Sequence, residues 1–277
     1  MTARPDFLII PAAGLGTRMR PVNPVLPKEM LTINGKPAIH YALAEGISIG
    51  IREIIIIINH GKDFVRRYFE EPRFREAAYP QAAAEMALFA RECAIHFLYQ
   101  EPPRGEADAI GLCHALVDDA NLAIIYPDNL YAPPPGALLH LLPHFLNTDQ
   151  DLIGLTEVSP QHQAGTSNAG RVDLQALDGD VFSIKRLLPK GAGPFAPRFP
   201  GELRACGIML SSGARLFNCI EIARTTVKQG EFTDTPVRRQ IMLHHCLLGC
   251  RLPGQVFDIG NPMGYALCRQ YMTRQVR

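Results

Sequence analysis

Through its first 150 residues the chain alternates unbroken apolar runs of strand length with longer stretches of helical periodicity. The apolar runs are FLIIPAA (7–13), EIIIIIN (53–59), IHFLYQ (95–100), LAIIYPD (122–128) and DLIGLTEV (151–158). A continuous apolar run, as opposed to strict alternation, is what a strand covered on both faces requires. Helical patterns fall between them at 37–50, 62–70, 82–94, 107–118 and 136–147. The reading is therefore an α/β chain, Rossmann-like, with a mixed, mostly parallel sheet and helices on both faces.

Beyond Glu157 the texture changes. Turn-rich stretches (SPQHQAGTSNAGRVD and LPKGAGPFAPRFPGE) surround short predicted strands at 171–176, 181–186 and 204–211. Helices are predicted at 214–225 and 236–246, then one strand at 249–257 and a closing helix after Asn261. No repeat or clean linker divides the chain. The expectation is one domain over 1–277, with a nucleotide-binding half (1–150) and a sugar-binding and C-terminal half (151–277) that extends the same sheet.

Composition narrows the field. The 277 residues are 47% hydrophobic and 20% charged with net charge +1, which offers no support for a nucleic-acid or membrane partner. No run reaches membrane-spanning length, and FLII is too short for a signal-peptide core. Seven scattered cysteines without a CxxC pair argue against a disulfide framework and for a reducing compartment, so a cytoplasmic location is expected. HHCLLGC (244–250) matches no common zinc spacing and reads as a helix end running into a strand.

The stretch that demands explanation is PAAGLGTRMRPVNPVLPKEML, residues 11–31, because connections in α/β units usually take only about 2–6 residues. A glycine-rich turn after a strand offers free backbone N–H groups to an anion. The dinucleotide fingerprint fails, since Gly14 and Gly16 are followed by Met19 where a third glycine belongs, and a P-loop is absent. A nicotinamide-dependent oxidoreductase is disfavoured accordingly. Arg18 and Lys28 would suit a triphosphate, while a tight structural turn is the alternative. Asp128 and Asp258 each end a predicted strand, where a carboxylate faces the ligand crevice; a cap or turn role is the plain alternative for either.

These residues carry a resemblance. AAGLGTRMRP, LPKEML and GKPAIHYALAEGISIGI, followed later by YQEPPRGEADAIG, YPDNLY and VFDIGNPMGYALC, resemble the signature of the sugar-1-phosphate nucleotidylyltransferases, most of all bacterial UTP–glucose-1-phosphate uridylyltransferases. The resemblance implies in-line attack of a sugar-1-phosphate oxygen on the nucleotide α-phosphorus, with pyrophosphate leaving and Mg2+ held by Asp128 and Asp258. It implies that Ala12, Ala13, Gly14, Gly16 and Thr17 hold the nucleotide, on a flexible lid that carries the cations. Arg18 would neutralise the pyrophosphate and Lys28 the α-phosphate, while Gln100 and Gly105 would read the pyrimidine and Gly170 lie against the sugar. UTP and dTTP, one methyl apart, both stay open. The apolar helices of the C-terminal half are candidate contacts of a homo-oligomer.

The pattern breaks on the sugar side. Where the family has Glu-Lys-Pro, this chain reads VFSIKRLLPK, with Arg186 at the place of the Glu and Leu187 at that of the Lys. GEFTDTPVRR (230–239) likewise departs from the family, with Pro236 where an Asp belongs, and the lid reads VNPV where the family has a further lysine. The leading expectation is transfer from a pyrimidine nucleoside triphosphate, UTP first, to glucose 1-phosphate; an Arg186 facing the sugar would instead favour a different acceptor with additional negative charge. The competing class is a catalytically silent relative that binds sugar nucleotides.

Overall fold

The computed structural model describes residues 2–227 and 229–275. The first half runs β1 (Phe7–Pro11), β2 (Thr32–Ile33), β3 (Lys36–Pro37), α1 (Ala38–Ser48), β4 (Glu53–Ile58), α2 (Asp63–Glu70), α3 (Pro72–Ala78) and α4 (Pro80–Glu92). It continues through β5 (Ala94–Tyr99), α5 (Glu106–Gly111), α6 (His114–Val117), β6 (Asn121–Ile125), β7 (Asn129–Ala132) and α7 (Ala137–Thr148). The second half comprises β8 (Asp151–Glu157), β9 (Val172–Asp178), β10 (Val181–Leu187), β11 (Leu203–Ser212), α8 (Gly213–Thr226) and α9 (Asp234–His244). It closes with β12 (Leu247–Arg251), β13 (Gln255–Asp258) and α10 (Pro262–Gln275).

Nine strands form one sheet in the order β5-β4-β1-β6-β11-β8-β12-β10-β9, crossing from the first half to the second at β6–β11. β11 and β10 run against the other seven strands, so the sheet is mixed but mostly parallel in direction. The isoleucine run of β4 shows why: Ile54, Ile56 and Ile58 enter the core on one face, with Leu8 and Leu138, while Ile55 and Ile57 enter the core on the other, with Ile110 and Phe217. β-Branched side chains on both pleats need helices on both faces. The buried Glu45 of α1 accepts N–H bonds from Gly136 and Leu138 at 2.8 and 3.0 Å, capping α7 against the sheet.

Four expectations change. The strand predicted at 249–257 is two strands, broken at Leu252–Gly254, where Pro253 has no N–H to give a ladder. β12 stays in the large sheet, whereas β13 turns to pair antiparallel with β7, a strand the apolar pattern hid because it directly follows the Asp128 turn. The helix predicted at 107–118 is divided into α5 and α6, and α3 forms in a stretch given no element. The long segment after β1 is also less of a lid than expected. Short 3-10 turns at Thr17–Met19 and Lys28–Met30 bury Met19 and Met30 and pin the segment at two points, while Gly14, Leu15, Thr17, Arg18 and most of the arch at Arg20–Val25 stay exposed.

Candidate active site

At the C-terminal ends of β1, β4 and β6 the chain opens into a cleft of about 640 Å3. Open α/β sheets bind ligands at this edge. Gly14, Gly16, Thr17, Arg18 and Lys28 line one wall; Gln100, Gly105, Asp128, Gly170 and Asp258 also reach it. Ala13 lines it too, while Ala12 sits behind it, buried, with its carbonyl taking a bond from Lys62.

The wall is built on buried polar anchors. Lys62 donates to Ala12 O at 2.5 Å and to Glu29 Oε2 at 2.9 Å, tying the two ends of the 12–29 segment together. Asn59 donates to Ala13 O at 2.5 Å and accepts from Gly61 N. Burial, the largest influence on Lys62, holds its pKa below the ordinary lysine value despite Glu29. Sequence reasoning missed Lys62, Glu29 and Asn59; the signal was a lysine four residues past the isoleucine run of β4, a costly place for a charge without a partner. Gly16 has φ +61°, which favours glycine outright. Gly14 has neither a positive φ nor a neighbour within 4 Å of where a Cβ would sit, so packing does not explain it and a ligand close to its backbone would.

The two aspartates converge. The β13–β7 pairing sets Asp258 opposite Asn129, next to Asp128 in sequence. A Cβ on Gly260 would lie 2.9 Å from Asp128 Oδ2, 3.2 Å from Asp258 Oδ1 and 3.5 Å from the Arg18 guanidinium, so all three groups face one small space. Ser167 N at 3.0 Å and Gly260 N at 3.2 Å fix the Asp258 carboxylate, and Asn129 donates to Asp128 Oδ1 at 2.9 Å. Lys28 pairs with Asp128 Oδ2 and stands 4.0 Å from Glu29 Oε1, a buried oxygen without a hydrogen bond. Burial works to neutralise Lys28, but Asp128 and Glu29 outweigh it and hold its pKa above the ordinary value. Burial opposes ionisation of Asp128 too, and Lys28, Asn129 and Arg18 outweigh it, keeping the carboxyl below the usual range. An oxygen-only pair of carboxylates beside a glycine whose Cβ would crowd them suits a hard divalent cation.

Gln100 is buried, and its amide donates to Gly105 O at 2.9 Å and Asp108 Oδ2 at 2.8 Å. What it has left to offer a base is the carbonyl oxygen, an acceptor. Arg224 at 2.7 Å and Arg104 at 3.2 Å brace Asp108 in turn. Gly105 and Gly170 have φ +115° and +72° and press against the backbones of Phe232 and Ala205, so backbone packing alone accounts for both glycines.

The acceptor side corrects one expectation. Arg186 is 73% exposed, stands 3.9 Å from Asp173 and does not line the cleft; a residue on β10 alternates faces, and it is Leu187 that reaches in, with Leu188 and Lys190. The residue that sequence reasoning overlooked is Arg204, on β11. It lines the cleft, is 4% exposed, donates through Nε to Ala169 O at 3.0 Å, and keeps a buried Nη1 with no partner. Its alternate-strand neighbour Arg171 is instead satisfied by Glu202 at 2.7 Å and stacks over Phe195.

Residues 8–185 match the family model described as nucleotidyl transferase. The chain belongs to that family. It is 28% identical over 264 residues to the UTP–glucose-1-phosphate uridylyltransferase YngB of Bacillus subtilis, covering 92% of this chain and 85% of that one. A uridylyltransferase of Komagataeibacter xylinus is 28% identical over 91% of this chain and 88% of its own. Among solved structures, a UDP-glucose pyrophosphorylase complexed with UDP-glucose superposes with TM-score 0.81 at 22% identity, over 99% of this chain and 100% of that chain. The UTP-bound enzyme from Acinetobacter baumannii gives 0.78 at 22% identity, over 98% and 93%. Nucleotidyl transferases of this type generally work with a divalent metal. Among the described residues no helix is long and apolar enough to cross a membrane, and all seven cysteines are free.

Proposed function

We propose that the protein transfers a uridylyl group from UTP to a sugar 1-phosphate, with glucose 1-phosphate the first acceptor to test, giving a UDP-sugar and pyrophosphate. The observation that carries this reading is the meeting of Asp128, Asp258 and Arg18 around Gly260, with Lys28 on the same carboxylate. Similarity to uridylyltransferases over nine-tenths of the chain supplies the substrate class.

In this reading the backbone of Ala13, Gly14 and Gly16 receives the phosphates and Arg18 draws charge from the departing pyrophosphate. Lys28 exchanges its Asp128 partner for the α-phosphate. Asp128 and Asp258 would hold Mg2+, which supplies charge neutralisation at the phosphate oxygens. Gln100 offers an acceptor to the N3–H of uracil, which cytosine lacks. Arg204 takes the acceptor's phosphate, the task that Leu187 cannot perform; a buried guanidinium without a carboxylate is costly until an anion arrives. The negative charge that Arg204 answers is then the phosphate itself, and an extra acidic group on the sugar is not needed.

The test is a pyrophosphate-release screen of UTP, dTTP and CTP against a panel of sugar 1-phosphates, with Asp128→Asn as the blank. Mg2+-dependent release from UTP with glucose 1-phosphate is expected. Release no faster than the blank with every acceptor would instead support a silent sugar-nucleotide binder.

A further inference from the structure

The HHCLLGC segment is only partly absorbed by the fold. His244, His245 and Cys246 are exposed at the end of α9, but Cys250 is carried inward on β12 and is fully buried. Leu248, Cys250 and Leu252 all enter the core that α7 covers. On the neighbouring strand β8 the residue in register with Cys250 is Gly154, and on β10 it is Val181, so no bulky side chain from β8 stands beside the thiol. Above it lies the flank of α7, where His140 and His144, four residues apart, occupy one face of the helix.

The ligating atoms of His140, His144 and Cys250 all lie within 4.8 Å of one another. His140 Nε2 is buried and has no hydrogen-bond partner, a state that buried ring nitrogens ordinarily avoid. None of the three residues lines the cleft. We infer that His140, His144 and Cys250 form a second metal site, separate from the catalytic carboxylates, for a borderline-soft transition-metal cation of the zinc class.

The donor set decides the class. Two imidazoles and a thiolate suit zinc and its neighbours, whereas Mg2+ demands oxygen ligands. Tetrahedral zinc with ordinary bond lengths sets its nitrogen and sulfur ligands about 3.3–3.8 Å apart, so the three atoms must close by about 1 Å. Rotation of the two half-buried imidazoles provides that movement. The fourth position falls to water. A bound cation would clip α7 to β12, joining the helix capped by Glu45 to the strands that support the acceptor side.

The experiment uses the full chain with exposed Cys246 and half-buried Cys93 changed to serine, stripped by chelator and titrated with Co2+ in excess Mg2+. One equivalent is expected to produce thiolate-to-cobalt charge-transfer absorption with tetrahedral d–d bands, displaced by Zn2+. Cys250→Ser should abolish the charge-transfer band, and His140→Ala with His144→Ala should weaken binding by well over roughly 100-fold, since losing even an outer-shell partner of a metal ligand costs about 10–100-fold. Zn2+ should raise the Tm of the parent and not of the histidine variant, whose metal-free melting serves as the folding control. Absence of the band at equimolar Co2+, or its persistence undiminished in the histidine variant, would overturn the site.

Discussion

The two walls of the cleft treat charge in opposite ways. On the nucleotide wall nearly every buried charge has a protein partner: Lys62 with Glu29, Lys28 with Asp128, and Asp108 with Arg224 and Gln100. On the acceptor wall Arg171 is similarly paired, but Arg204 is not. A wall whose charges are already paired is held in shape before any ligand arrives, and its ligand must displace a partner, as phosphate would displace Asp128 from Lys28. A wall with a buried, unpaired cation is less stable alone and gains most when an anion binds. The lesson is that mutations of buried charge on the two walls should have opposite effects on stability.

The largest effect is expected at the junction of the walls. Asp128→Asn should lower kcat by roughly 10^3-fold or more, measured as pyrophosphate release, because it removes both a proposed metal ligand and the partner that orients Lys28. The same variant tests the pair's pH dependence. Asp128 has a lowered pKa, so its contribution to stability is present above the ordinary carboxylate value and lost as pH falls through the folded one. Lys28 has a raised pKa, so its contribution is fully present below the ordinary lysine value and lost as pH rises through the folded one. The pair therefore stabilises a plateau between about pH 4 and about pH 10.5. Thermal melts of Asp128→Asn across pH should have shallower losses at both edges; unchanged edges would mean that the pair contributes little to folding.

Next comes the anchor of the nucleotide wall. Lys62→Met strands the buried Glu29 and frees Ala12 O, and breaking a buried pair in this way costs about 3–5 kcal/mol. For a chain of this size that is a fall in Tm of roughly 10 °C. The double variant Lys62→Met with Glu29→Met should recover much of the loss. A single variant that melts with the parent would remove the claim that this wall is preassembled by charge pairing.

How much of this was legible in the sequence follows the same division. The unbroken isoleucines of β4 announced a strand covered on both faces, and the 11–31 segment announced a loop that the structure sets along the cleft, because both are local patterns. The meeting of Asp128 and Asp258 was foreseeable as strand ends, yet its cause, the β13–β7 pairing, was not: Leu252, Pro253 and Gly254 break what reads as one apolar strand. Arg204 was invisible because an arginine inside a strand reads as surface until a neighbouring strand covers it. Arg186 drew attention by its place in a disrupted motif, but the period-two alternation of β10 turns it outward. Cys250 and the two histidines of α7 lie more than a hundred residues apart, beyond any spacing rule.

Arg204 is the converse of Lys62. Arg204→Met removes a buried cation that has no carboxylate partner and only the Ala169 carbonyl as acceptor, so the free enzyme should melt no lower than the parent and gain about 1 kcal/mol of stability. The KM for the sugar phosphate should rise roughly 10- to 100-fold, as expected for one charged hydrogen bond, with the KM for UTP nearly unchanged. Arg204→Lys should restore part of the acceptor affinity, since a point charge replaces the fork. A fall in Tm of the size expected for Lys62→Met would show that Arg204 is a structural charge after all.

The smallest effect is the sharpest discriminator between motif position and geometry. Arg186→Ala should change neither kcat nor the KM of either substrate by more than about twofold, because the side chain is mostly solvated and its one ion pair, to Asp173 at 3.9 Å, is a surface contact worth little. If the disrupted Glu-Lys-Pro segment still governed the sugar through Arg186, the same substitution would raise the acceptor KM while leaving UTP untouched. That is the signature expected of Arg204→Met, so the pair of variants assigns the acceptor cation to one strand or the other. Loss at both positions would require the β10 end to fold over the cleft when the sugar phosphate binds, reversing the alternation that turns Arg186 to solvent. Loss at Arg204 alone leaves the acceptor wall as it stands, with leucines where the family has its lysine and the compensating charge on β11, three strands away in the sheet.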